Sequence, residues 1–168
     1  GEEWIIASGD QEGGRIQLVN VQNKTATVLF PTPNSRARLD AATYPTCPGP
    51  IDSSEGDEFR AHGLYLTPDS GGVHTLHVVH HGLRESIEVF EVDARGDSPV
   101  LTWVGCAVAP DPLVLNSVVA LPAGGFVATS PATGDVWEWQ ADSGWTLVPG
   151  SEDTVPNGLE VSSDGRWL

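Results

Sequence analysis

The stretch His62-Gly63-Leu64-Tyr65-Leu66-Thr67-Pro68-Asp69 returns twice further along the chain. It reappears as Asn116-Ser117-Val118-Val119-Ala120-Leu121-Pro122-Ala123 and as Asn157-Gly158-Leu159-Glu160-Val161-Ser162-Ser163-Asp164. Each copy opens on a polar side chain able to bind a proton or a metal. A small residue follows, then an alternating apolar run, then a turn rich in Pro, Asp or Gly. The copies begin at positions 62, 116 and 157, so 54 and 41 residues apart. A second motif recurs out of phase with the first: Arg15-Ile16-Gln17-Leu18-Val19, Ser86-Ile87-Glu88-Val89-Phe90 and Asp135-Val136-Trp137-Glu138-Trp139. Its alternation reads as strands with one face solvated.

Strands are expected at 4–8, 15–20, 25–30, 63–67, 75–80, 86–92, 100–106, 117–121, 125–129, 135–140, 145–148 and 158–162, and no stretch carries a helical period. The 19 Gly and 13 Pro of the 168 residues suit many short strands joined by tight turns. A unit of about 40–55 residues with four strands is the signature of a β-propeller blade. The fold class is therefore all-β, a propeller fragment with about two complete and two partial four-stranded blades. In such a fold the polar residue at the start of each innermost strand faces the central channel, so separated positions converge on one site. The second motif follows the polar start by 25 and 20 residues in two units, and its first copy is already at Ile16. The first polar start is thus expected before Gly1, with the last unit stopping mid-blade at Leu168. One long inter-blade loop, 31–59, holds five prolines and an acidic patch from Asp52 to Glu58. It reads as a lid or as a mobile insertion.

Acidic residues number 23 against 8 basic, a formal charge of −15. Such a surface repels phosphate backbones, so nucleic acid is not an expected partner. No apolar run is long enough to span a membrane. Cys47 and Cys106 form no zinc motif; they either pair or are buried thiols. Pairing implies a secreted or periplasmic protein, and free thiols a cytoplasmic one. There is no Gly-x-Ser-x-Gly elbow and no Gly-rich phosphate loop, which leaves serine-triad and nucleotide chemistry without support.

Asn116 and Asn157 stand at equivalent repeat positions. Amide oxygens suit a hard cation such as Ca²⁺, although an Asn can also cap the turn before a strand. His74, His77 and His81 would share a helical face, but Thr75 to His80 reads as a strand, on which the cluster dissolves. His62 opens a repeat where the asparagines open theirs, and His81 ends the neighbouring strand. A His pair beside a metal can deprotonate water near neutral pH.

The runs Arg60-Ala61-His62-Gly63-Leu64, Val78-Val79-His80-His81-Gly82 and Ser86-Ile87-Glu88-Val89-Phe90, then Leu115-Asn116-Ser117-Val118-Val119-Ala120 and Pro156-Asn157-Gly158-Leu159, resemble in order the paraoxonase/arylesterase and SMP-30/gluconolactonase group. The resemblance implies a six-bladed propeller with calcium in its channel that hydrolyses lactones or aryl esters. It implies Asn116 and Asn157 as ligands of a catalytic calcium, His62 as the base that activates water, and His81 as its assistant. Ser117 stands where paraoxonases have an Asp that serves a second, structural calcium together with the carbonyl at Leu64. His80 stands where an Asn is frequent. The family's carboxylate ligands fall outside residues 1–168, so the piece alone is expected to bind calcium weakly and to be inactive. The rival expectation is a non-catalytic propeller that binds a small ligand or protein partner through the 31–59 loop.

Overall fold

The computed structural model describes residues 3–11, 13–52, 59–162 and 164–168. The described residues contain strands and no helix: β1 (Trp4–Ser8), β2 (Ile16–Asn20), β3 (Thr25–Phe30), β4 (Arg36–Ala37), β5 (Arg60–Thr67), β6 (Val73–His81), β7 (Ser86–Asp93), β8 (Val100–Val108), β9 (Val118–Ala120), β10 (Phe126–Ser130), β11 (Asp135–Gln140) and β12 (Gly144–Leu147). They form three open sheets in the orders β1-β2-β3, β4-β8-β7-β6-β5 and β12-β11-β10-β9. Every pair is antiparallel except β4 with β8. β1–β3, β5–β8 and β9–β12 are up-and-down meanders, as short strands joined by Gly- and Asp-rich turns dictate, and β4 is added in parallel at the β8 edge.

The five-stranded sheet lies between the other two and is buried on both faces. Leu76, Val78, Phe90, Val92, Leu101 and Trp103 pack with Ile16 and Phe30 of the three-stranded sheet. Val79, Ile87, Val89 and Ala107 pack with Val118, Phe126 and Trp139 of the four-stranded sheet. This overturns the reading of Ser86 to Phe90 as half-solvated. All five residues are buried, Glu88 completely. The alternation of polar and apolar residues is real, but its polar member faces an internal partner set. Glu88 takes Arg84 Nε and Nη2 on Oε1 at 3.0 and 2.8 Å and Arg84 Nη2 on Oε2 at 3.0 Å. Ser86 Oγ donates to Oε1 at 2.6 Å and Trp103 Nε1 to Oε2 at 2.7 Å. Burial pushes the Glu88 carboxyl above its ordinary range, opposed by the Arg84 charge and by these donors.

The expected strand at 158–162 does not form. A strand needs a laddered neighbour, and among the described residues none runs beside this segment. Residues 31–52 are fastened to the edge of the five-stranded sheet. β4 pairs with Thr102 and Trp103 of β8, and the amides of Arg38 and Asp40 donate to the carbonyls of Trp103 and Val104 at 2.8 Å each. Cys47 and Cys106 are joined as a disulfide. By the chain-entropy argument, closing this 59-residue span contributes about 4 kcal/mol. Tyr44 is stacked on Trp139 and lies directly against Gly105, where a Cβ would meet the ring. Arg84 Nη1 adds a bond to the Gly49 carbonyl at 2.9 Å. The acidic patch, apart from Asp52, lies outside the described residues.

Two measurements check this packing. Glu88→Ala leaves the Arg84 charge without its partner and should cost about 3–5 kcal/mol in urea unfolding, whereas Glu88→Leu with Arg84→Met should cost far less. His77 is buried against Phe126, and desolvation pushes its imidazole down from 6.5 to about 4, a backbone contact at Tyr65 opposing. The unfolded chain therefore takes up this proton first. Stability should fall by up to ~3 kcal/mol as pH drops from about 6.5 to about 4, and His77→Phe should remove that part of the slope.

Candidate functional site

The repeat starts meet in a row along the edges of the sheets. Ser8, the last residue of β1, donates its hydroxyl to the His62 carbonyl at 2.6 Å. Next to His62, a Cβ on Gly63 would collide with the Asn116 carbonyl, which is why a residue with no side chain stands there. The Asn116 amide donates to the Thr129 carbonyl at 2.9 Å, and the Ser117 amide to Thr129 Oγ1 at 3.0 Å. The same hydroxyl donates to the Asn157 carbonyl at 2.8 Å. Ser8 and Thr129 occupy equal register positions, opposite Ile16 and Val136 of the second motif. A hydroxyl at that position twice ties one sheet to the start of the following repeat.

A cleft of about 620 Å³ opens at this end, lined by Asp10, Arg60, His62, His81, Glu85 and Asn116 among others. β5 and β6 bring the two histidines together across an irregularity in their ladder between Ala61 and Leu64. His62 Nδ1 lies 3.1 Å from His81 Nε2, and His81 Nδ1 lies 2.8 Å from Glu85 Oε2. Glu85 sits in the connection from β6 to β7, and its second oxygen accepts the Leu115 amide at 2.7 Å. The His81 side chain, in the middle of the row, is 13% exposed, against 21% for Glu85 and 37% for His62. Asp10 follows β1, with Oδ2 at 3.9 Å from His62 Nδ1 and Oδ1 at 3.3 Å from Arg60 Nη2.

For a neutral histidine pair beside an ionised Glu85, the bonding selects one set of tautomers. Both oxygens of the Glu85 carboxylate accept, so His81 carries its proton on Nδ1 and its Nε2 is a bare lone pair. The 3.1 Å contact then takes its proton from His62 Nδ1, which leaves Nε2 as the basic nitrogen of His62. Carboxylate, imidazole and imidazole thus form a relay that runs from a half-buried acid to an accessible base.

Three of the four residues singled out in the sequence line the cleft: His62, His81 and Asn116. The Asn157 side chain is exposed and outside the cleft lining, although its backbone adjoins Asn116 through Thr129. The helix-style cluster is absent, as the strand reading required: His77 is buried beside Phe126, and His74 Nδ1 accepts the Asp69 amide. Asp10 and Glu85 escaped the sequence reading. Glu85 carried a weak signal, lying four residues after His81 across a turn. Asp10 carried none, because only the packing of β1 beside β5, in a different sheet, brings it to His62. None of residues 31–52 lines the cleft. A calcium ion takes six to eight oxygens. Among its side chains the cleft offers Asp10 and Asn116 beside a Glu85 already engaged on both oxygens, so further oxygens would have to complete that shell. The chain matches no family model and no curated protein sequence.

Because Gly63 is held against the next repeat start, Gly63→Ala should push the Asn116 carbonyl away at a cost of about 1–3 kcal/mol, read as a lowered melting temperature.

Proposed function

We propose that the three sheets are successive blades of a β-propeller and that the cleft hydrolyses lactones or aryl esters. The observation that carries this reading is the Glu85–His81–His62 relay, which ends in a basic nitrogen on a residue lining the cleft. A scaffold that merely binds has no need of a carboxylate-backed imidazole pair at an opening. The propeller part rests on the two-sided burial of the middle sheet and on the row of repeat starts at one end.

In the proposed reaction His62 Nε2 takes a proton from water while the water oxygen bonds to the substrate carbonyl carbon. His81 Nε2 accepts the His62 Nδ1–H and Glu85 accepts the His81 Nδ1–H, so the positive charge formed on His62 is stabilised through two hydrogen bonds. Collapse of the tetrahedral intermediate breaks the ester C–O bond, and the proton held on His62 passes to the leaving oxygen. Asn116, which lines the cleft, belongs to the proposal as this chain's share of a calcium shell; when bound, calcium would polarise the substrate carbonyl. The Cys47–Cys106 disulfide supports work in an oxidising compartment, secreted or periplasmic.

The test is turnover of a panel of lactones and aryl esters by the intact protein in excess calcium. His62→Gln should lower kcat by about 10²–10⁴-fold without changing the unfolding midpoint. Turnover indifferent to that change, or none by the unmodified protein, would sink the reading and favour a binding module.

A further inference from the structure

We infer that Asp10, His62 and His81 form a binding site for a first-row transition-metal ion of the zinc type, and that this ion displaces the proton on which the relay depends. One donor atom from each of Asp10, His62 and His81 lies within 4.8 Å of the other two. Two donors at zinc-like bond lengths of about 2.0–2.1 Å, seen from the ion at angles between a right angle and the tetrahedral value, stand about 2.9–3.3 Å apart. The 3.1 Å between the histidine nitrogens falls inside that interval. Asp10 Oδ2, at 3.9 Å from His62 Nδ1, needs only a small rotation of a side chain that is 36% exposed. Arg60 holds its other oxygen and so favours single-oxygen binding.

The surroundings match a metal site in two further respects. His81 presents Nδ1 to Glu85, the carboxylate–histidine arrangement that orients metal-bound imidazoles, and Glu85 is itself anchored by the Leu115 amide. The ligand set, two imidazoles and one carboxylate, suits zinc and its neighbours rather than calcium. The site is therefore distinct in chemistry from the oxygen site proposed around Asn116.

Binding there has a specific consequence. The ion takes the lone pair of His62 Nδ1, so a neutral His62 must carry its proton on Nε2 instead. That tautomer has no basic nitrogen left for water, and the contact between the histidines becomes a shared metal. Relay and metal exclude each other. The site itself stands on donor geometry alone; only its effect on turnover rests on the hydrolase reading.

The probe is Co²⁺, titrated at neutral pH into the intact, chelator-stripped protein in excess calcium. One equivalent should bind with visible absorption bands that Zn²⁺ abolishes. His62→Ala and His81→Ala should remove the bands, Asp10→Asn should weaken binding tenfold or more, and Glu85→Gln should weaken it about 10–100-fold. His74→Ala should change nothing. If His81→Ala fails to fold, the exposed Asp10→Asn and His62→Ala variants carry the decision. No stoichiometric binding by the unmodified protein, or binding indifferent to those two changes, overturns the site. Lactone turnover is read separately in zinc-free protein, so loss of one claim leaves the other standing.

Discussion

Glu88 is a fully buried carboxylate, and Arg84 in the connection between β6 and β7 is turned inward to meet it. Its carboxylate faces the core shared with the three-stranded sheet and is matched by the forked guanidinium of Arg84, the Ser86 hydroxyl and the Trp103 indole. Such a pair adds little net stability over a well-packed apolar substitute, yet either partner alone would be costly. Its value is geometric. Arg84 and Glu85 are neighbours in sequence with diverging tasks. Arg84 is drawn to Glu88 and to the Gly49 carbonyl, so Glu85 is left facing the other way, onto His81 and the Leu115 amide. The relay is oriented at one end by a buried charge it does not touch.

The other constraint is the junction between repeats. A cleft assembled from three sheets needs their edges held in line, and backbone pairing inside each sheet cannot do that. The Ser8 hydroxyl, bonded to the His62 carbonyl, and the bare Cα of Gly63, set against the Asn116 carbonyl, do it. They bring Asp10 from the first sheet, the histidines from the second and Asn116 from the approach to the third to one opening. On the opposite edge, the disulfide and the seat of Tyr44 on Gly105 fasten the 31–52 segment to β8. A segment rich in proline and poor in strands thereby becomes part of the framework.

Much of the strand order was legible because period-2 alternation and turn residues are local properties. Trp4–Ser8, Thr25–Phe30 and Asp135–Gln140 carry the expected bounds, and β5 and β6 extend further than expected because their ladder runs past the apolar run. The failures share one cause. Glu88 looked solvated because a charged residue in an alternating strand usually is; only Arg84 and Trp103, placed by the fold, make it internal. Residues 158–162 alternate like a strand but have no described neighbour to pair with. His62 and His81 were legible through the repeat and the neighbouring strand end. Asp10 was not, since nothing local to Gly9 and Asp10 foretells a histidine 52 residues away.

The proposed hydrolysis turns on where two protons sit, and imidazole nitrogen NMR of the intact, metal-free protein reads this directly. Long-range proton–nitrogen correlations near neutral pH should find both His62 and His81 protonated on Nδ1, with Nε2 of each as the bare nitrogen. Glu85→Gln should disturb the His81 pattern. Finding His81 protonated on Nε2, or His62 without a proton on Nδ1, would mean that the histidines do not pass charge towards Glu85, and the relay at the centre of the proposal would be contradicted.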